Sequence, residues 1–301
     1  MRNTINEDPS DPRRLIPNKV DFYITNVCNL TCENCNRFNN YKFTGWQRWE
    51  DYADVYQQWS QRLKLSAITI MGGEPFLNPT LPAWVEGLNN TFEISVQILT
   101  NGTRFRQAGD LYSKMLYTER NGAQNSIGVS MHVPGEYQQL REDILYFLQG
   151  KVTELSPDEN PWQCPGFVDS NGVRVNVYTV DEFGPSALQT NHLQQVTVHR
   201  NDPFFAHQAC GFVRWKSYHF IRGNLYQCAP VALLPEFDQQ HKLPLTDDER
   251  EIMYSYKPLS MNNYDEYADE FFKNIGSILP QCQFCPVEHK ITKIFPVKKG
   301  T

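Results

Sequence analysis

Between residues 20 and 199, short β-branched or aromatic runs alternate with stretches of helical spacing, and no other feature constrains the fold as strongly. Val20 to Asn26, Ala67 to Met71, Phe92 to Leu99, Ser126 to Met131, Val173 to Val180 and Gln195 to His199 read as strands. Helical periodicity fills Trp46 to Leu65, Pro82 to Leu88, Gln107 to Tyr117 and Glu136 to Leu148, with a short helix expected over Ala187 to Gln195. Such alternation calls for a parallel sheet with crossover helices. In parallel α/β barrels the chemistry sits at the C-terminal ends of the strands, so the residues that follow each run carry the functional interest. Trp49, Tyr52, Val55, Tyr56 and Trp59 form a stripe read as core packing. Residues 1–18 are polar and proline-rich and read as an arm. The texture changes at Pro203-Phe204-Phe205, which divides a domain over 19–203 from one over 204–301.

Composition narrows the class. Among 301 residues, 28 Lys and Arg face 34 Asp and Glu, for a net charge of −6. With 40% hydrophobic and 21% charged residues, wholesale disorder is excluded. The acidic balance gives no support for a nucleic-acid partner. Met1 to Pro17 has no apolar segment of the secretory kind, and no run reaches the ~20 apolar residues of a membrane helix. A cytoplasmic protein with no membrane partner is the expectation, and there clustered cysteines suggest metal more than disulfides.

The chain has eight cysteines, and their spacing divides them. Cys28, Cys32 and Cys35 follow the first strand as C-x3-C-x2-C. Three thiolates can hold three irons of a [4Fe–4S] cube and leave the fourth iron open, whereas structural zinc normally takes four ligands. Cys210 and Cys228 flank an aromatic stretch, Phe212 to Tyr226, that reads as a hairpin turned at Gly223. Cys282 and Cys285 follow an expected helix over Tyr264 to Leu279. Four thiolates suit an iron–sulfur cluster or zinc. Cys164, in an expected loop before the fifth strand, reads as structural.

The C-x3-C-x2-C loop after strand one, together with Gly72-Gly73-Glu74-Pro75 after strand two, resembles the radical S-adenosylmethionine (SAM) superfamily over about residues 18–200. The fold implied is α/β: a partial (β/α)6 TIM-like barrel followed by a small C-terminal β-hairpin-plus-helix cluster-binding domain. The resemblance implies that Cys28, Cys32 and Cys35 hold a [4Fe–4S] cluster whose open iron chelates SAM. Gly72, Gly73, Glu74 and Pro75 would bind SAM, aided by Thr100 and Asn101 after strand three, Ser130 and His132 after strand four, and Asn176 on strand five. Electron transfer from the cluster would cleave SAM to methionine and a 5′-deoxyadenosyl radical that abstracts a substrate hydrogen. Asn34 departs from the family pattern, where an aromatic often precedes the last cysteine. The spacing Cys210-x12-Gly223-x4-Cys228, with Cys282-x2-Cys285, resembles the twitch domain, a shortened SPASM extension, and implies an auxiliary [4Fe–4S] cluster on those four cysteines.

These resemblances imply an oxidoreductase-type enzyme. A substrate radical beside an electron acceptor suits dehydrogenation or bond formation on a small molecule, with an external reductant such as flavodoxin or ferredoxin. Asp181, Glu182, His199 and Asp202 are candidate bases. Peptide or RNA modification are other enzymatic readings. A non-enzymatic zinc- or iron-binding interaction protein is the reading of a different class, and it has no need of the Gly-Gly-Glu-Pro turn.

Overall fold

The computed structural model describes residues 10–119, 121–157, 163–180, 182–215, 217–288, 292–293 and 297–298. The chain forms two compact units. The first runs to Thr25 and resumes over Trp46–Asp181; the second comprises Asn26–Gly45 and Glu182–Thr301. The texture change at residue 203 therefore lies within the second unit, and the cysteine-bearing segment 26–45 groups with that unit as well.

Seven strands form the sheet of the first unit: β1 (Arg14–Tyr23), β2 (Leu63–Met71), β3 (Val96–Thr100), β4 (Ser126–Met131), β5 (Val152–Leu155), β6 (Gln163–Asp169) and β7 (Arg174–Thr179). They lie in the order β1-β2-β3-β4-β7-β6-β5. The first five in that order are parallel, and β6 and β5 add antiparallel. Strand β1 begins at Arg14, so the end of the expected N-terminal arm is strand.

Two expectations are corrected. The sixth barrel strand is present as Val196–Val198, but it pairs antiparallel with Leu188–Thr190, where a helix was expected. The Asn191 side chain accepts from the backbone of Leu193 and Gln195 and turns the chain back without glycine, with Gln194 in the left-handed region. The long loop before the fifth strand contains β5 and β6. Buried Asp169 organises the turn from β6 into β7 by accepting from the backbone of Asn171 and Val173 and from the Tyr112 hydroxyl.

Helices α1 (Ala53–Arg62), α2 (Leu81–Phe92), α3 (Leu111–Lys114) and α4 (Tyr137–Phe147) complete this unit. Helix α1 starts later than the aromatic spacing suggested, because Trp46 instead pairs with Thr25 in an isolated bridge. The aromatic stripe is core. Tyr56 and Trp59 are buried, Trp49 stacks on Tyr56 at 5.7 Å and meets Trp84 edge-on at 5.3 Å. Phe22 of β1 packs edge-on to Tyr56, so this cluster covers one face of the sheet.

In the second unit, helices α5 (Pro203–Ala209) and α6 (Gly211–Trp215) flank Cys210. Strands β8 (Tyr218–Ile221) and β9 (Asn224–Tyr226) form the expected hairpin. Its turn residues, Arg222 and Gly223, both have positive φ (49° and 74°), as a two-residue turn of the I′ kind requires. Helices α7 (Ala229–His241), α8 (Asp247–Tyr254) and α9 (Tyr264–Lys273) follow, and a 3-10 turn over Pro280–Phe284 carries Cys282. Phe38 and Phe43 anchor the segment 26–45 by packing on Phe237 of α7, at 5.7 and 5.5 Å between ring centroids.

Gly87 on α2 is required by packing. A Cβ there would stand 2.1 Å from the Trp49 ring. That ring is held by Tyr56 and Trp84 and has no room to retreat. Gly87→Ala is expected to destabilise the protein by about 1–3 kcal/mol, the usual cost of overpacking, read as a lower denaturation midpoint. An unchanged midpoint would contradict this packing.

Candidate functional site

The chain leaves the first unit at Thr25 and re-enters at Trp46, and both strands of that neck are fastened. Gln47 N donates to Ile24 O, and Asn78 Nδ2 donates to both Ile24 O (3.0 Å) and Gln47 O (2.9 Å). Trp84 Nε1 donates to Gln47 O as well. Just beyond the neck, Asn26 N donates to Gly45 O.

The Gly72-Gly73-Glu74-Pro75 turn abuts the same point. Gly73 N donates to Thr25 O at 2.7 Å. A Cβ on Gly72 would lie 2.4 Å from that backbone oxygen, so only glycine allows the approach. Gly72 and Gly73 are partly exposed, whereas Glu74 and Pro75 are buried.

Glu74 is fully buried, and its carboxylate accepts from Thr100 Oγ1 (2.6 Å), Asn101 N (2.7 Å) and Phe76 N (2.9 Å). Burial pushes its pKa up, and these hydrogen bonds oppose the shift. Thr100 Oγ1 in turn accepts from Gly102 N. Glu74 thus ties the end of β2 to the end of β3, and Thr100 and Asn101 serve it. Glu74→Gln places an amide where backbone N–H groups now donate. An expected loss of about 1–3 kcal/mol, measured by denaturation, follows from unsatisfied buried donors. Undiminished stability would show that the carboxylate does not hold the turn.

Register divides the sheet residues between two faces. Asp21 pairs with Thr69, Thr69 with Gln97, Gln97 with Ser126 and Ser126 with Arg174. Residues paired in register share a face, and side chains along a strand alternate. Asp21, Thr69, Gln97, Gly128, Ser130, Asn176 and Tyr178 therefore lie on one face. Val20, Phe22, Ile70, Ile98, Ile127, Val129, Val175 and Val177 lie on the other, with the helices. Ser130 and Asn176 share the polar face, while Thr100 belongs to the apolar side. Asp21, Thr69, Gln97 and Tyr178 were not singled out from sequence. Their signal was the single polar residue between apolar neighbours in strands that, if covered on both faces, would be continuously apolar.

His132 Nδ1 lies 2.8 Å from the Val180 carbonyl. A carbonyl only accepts, so Nδ1 carries the proton and Nε2 is the acceptor nitrogen. Burial lowers the pKa of His132 and also of His199. The unfolded chain then binds more protons than the folded one below the ordinary imidazole pKa of about 6.5, so stability falls as pH drops through that window and is retained above it. A lower denaturation midpoint at about pH 5.5 than at about pH 7.5, with the gap narrowed in His132→Asn, is expected. A midpoint that rises on acidification would contradict it.

Of the other candidate bases, Asp202 caps α5 by accepting from Phe204 N. His199 Nε2 donates to Ser186 O, and the Ser186 hydroxyl donates to Cys35 O, so His199 supports the cysteine loop. Glu182 lies in the two-residue strand Glu182–Phe183. Asp181 lies outside the described residues.

Cys28, Cys32 and Cys35 share one apolar cluster with Leu30 and Phe183. Leu30 N donates to Cys28 Sγ at 3.5 Å. Asn34 adopts φ 58°, in the left-handed region that asparagine tolerates.

Cys210, Cys228, Cys282 and Cys285 all lie in the second unit. Burial pushes the Cys228, Cys282 and Cys285 thiols up. Cys210 and Cys282 raise Cys228 further, Cys210 raises Cys282, and the other three raise Cys285. Thiols so placed resist ionisation alone, and a positively charged metal centre is what makes such a set favourable as thiolates. Among the described residues, no three His, Cys, Asp or Glu side chains are grouped closely enough to hold a single metal ion. Cys164 is in strand β6, not a loop, with Sγ 3.3 Å from Thr179 Oγ1 on the sheet face opposite Ser130 and Asn176.

Residues 22–144 match the model of the Radical SAM superfamily. The fold is mixed α/β with a largely parallel sheet, and no helix among the described residues is long and apolar enough to cross a membrane. No curated protein matches the chain. Among solved structures, it is similar to BtrN in complex with AdoMet and 2-DOIA, at 15% identity over 90% of this chain and 96% of that one, with a TM-score of 0.40. It is also similar to Streptococcus suis SuiB bound to S-adenosylmethionine, at 16% identity over 40% of this chain, with a TM-score of 0.31. That match spans a quarter of the SuiB chain.

Proposed function

We propose that this chain is a radical SAM enzyme carrying two [4Fe–4S] clusters and catalysing the net oxidation of a small molecule, by dehydrogenation or bond formation. Cys28, Cys32 and Cys35 would hold the first cluster. Cys210, Cys228, Cys282 and Cys285 form a twitch-like site for the second. When bound and reduced by an external donor such as flavodoxin or ferredoxin, the first cluster would supply the reductive cleavage of SAM to methionine and a 5′-deoxyadenosyl radical.

The protein's own residues bind, orient and hold protons. The Gly72–Gly73 backbone is presented by a turn that Glu74 and Pro75 fix, so Glu74 acts on SAM through the turn. Ser130 and Asn176 offer a hydroxyl and an amide from the polar sheet face, and Asp21, Thr69, Gln97 and Tyr178 share that face. A neutral His132 with Nε2 as acceptor is suited to take the proton released as a substrate radical is oxidised.

The observation that carries the oxidative reading is the second set of four cysteines, all in the second unit. Four protein thiolates leave a cluster with no open iron, which suits electron transfer over binding of substrate. Anaerobic reconstitution is expected to give about eight irons per chain, falling to about four in Cys228→Ala. About four irons in the wild type, with zinc in the second site, would contradict the proposal.

A further inference from the structure

Arg37 follows Cys35 by two positions, and its side chain is buried, with 9% of the residue exposed. A guanidinium stays protonated in proteins, so this is a permanent cation in a poorly solvated place. Such a charge is costly unless its surroundings compensate it. One compensating group is the ring of Phe212, whose centroid lies 5.7 Å from the guanidinium carbon.

Phe212 in turn is two positions from Cys210, at the start of α6. Its ring meets the fully buried His219 of β8 edge-on at 5.3 Å. The β8–β9 hairpin then leads directly into Cys228. The ring under Arg37 is therefore fixed by the two elements that deliver Cys210 and Cys228.

We propose that the buried guanidinium of Arg37, held over Phe212 beside the second cysteine set, raises the reduction potential of the auxiliary cluster. This rests on the reading of Cys210, Cys228, Cys282 and Cys285 as ligands of a [4Fe–4S] cluster. On taking up one electron, here from the substrate radical, the cluster gains one negative charge. A fixed cation nearby stabilises that reduced form over the oxidised one, and the low local dielectric strengthens the effect. Arg37 is thus a positioning residue that acts on the potential, and no bond to it forms or breaks.

The test is a redox titration of the reconstituted full chain followed by electron paramagnetic resonance. Added SAM perturbs the first cluster and separates its signal from the auxiliary one. In Arg37→Leu and Arg37→Gln, the auxiliary midpoint is expected to fall by about 59 mV, a tenfold change in the reduced-to-oxidised ratio for a one-electron couple. Arg37→Lys, which keeps the charge, is expected to restore more than half of that shift. If the neutral variants fail to load the second cluster while Arg37→Lys loads it, the requirement for charge is likewise supported. An auxiliary midpoint unchanged in loaded neutral variants, or a loss of loading that Arg37→Lys shares, overturns the inference alone. A wild type with only one cluster overturns the reading of the second site and this inference with it.

Discussion

The close approach of Gly72 to the Thr25 backbone is the contact on which the first unit's functional end depends. Strand β1 ends here, the cysteine segment departs one residue later, and the turn after β2 is fastened to the same carbonyl by Gly73 N. Asn78 and Trp84 then hold both chains of the neck through the backbone carbonyls of Ile24 and Gln47. A side chain at residue 72 would meet main chain, which has no rotamer to change. The glycine is thus dictated by backbone proximity, and the acidic residue two positions on is dictated by the donors it must satisfy.

The parallel sheet performs two tasks with its two faces. Helices and the Trp49–Tyr56–Trp84 cluster cover Phe22 and its apolar row-mates, and this face supplies the burial that stabilises the unit. The opposite face carries Asp21, Thr69, Gln97, Ser130 and Asn176, groups that cost free energy to bury and that have meaning where a polar ligand is bound. That cost is a physical reason to read this face as the one that meets SAM and substrate.

Much of this was legible in the sequence. Six strand segments fell near their places because β-branched runs bounded by Gly, Asn and Pro mark strands strongly, and Ser126–Met131 matched at both ends. The hairpin at Gly223 was legible because its turn needs positive φ. The hairpin over residues 188–198 was not, since Asn191 makes the turn through its side chain without a glycine to announce it. Strands β5 and β6 were hidden by a polar composition that reads as loop. At the site, motif spacing located the glycine turn and the cysteine sets, but it could not show that the Glu74 carboxylate is taken up by Thr100 and Asn101. That depends on three-dimensional donors far apart in sequence.

The cysteines are where fold and chemistry meet. Three thiols share an apolar cluster around Leu30, and burial raises the pKa of Cys228, Cys282 and Cys285 in the second set. The central claim is that the first set generates a radical from SAM. The direct measurement is the release of 5′-deoxyadenosine from the reconstituted protein under an anaerobic reductant with SAM. The account predicts release by the wild type and by Cys164→Ala, and none by Cys32→Ala. Absence of release from the wild type with both clusters intact would contradict it.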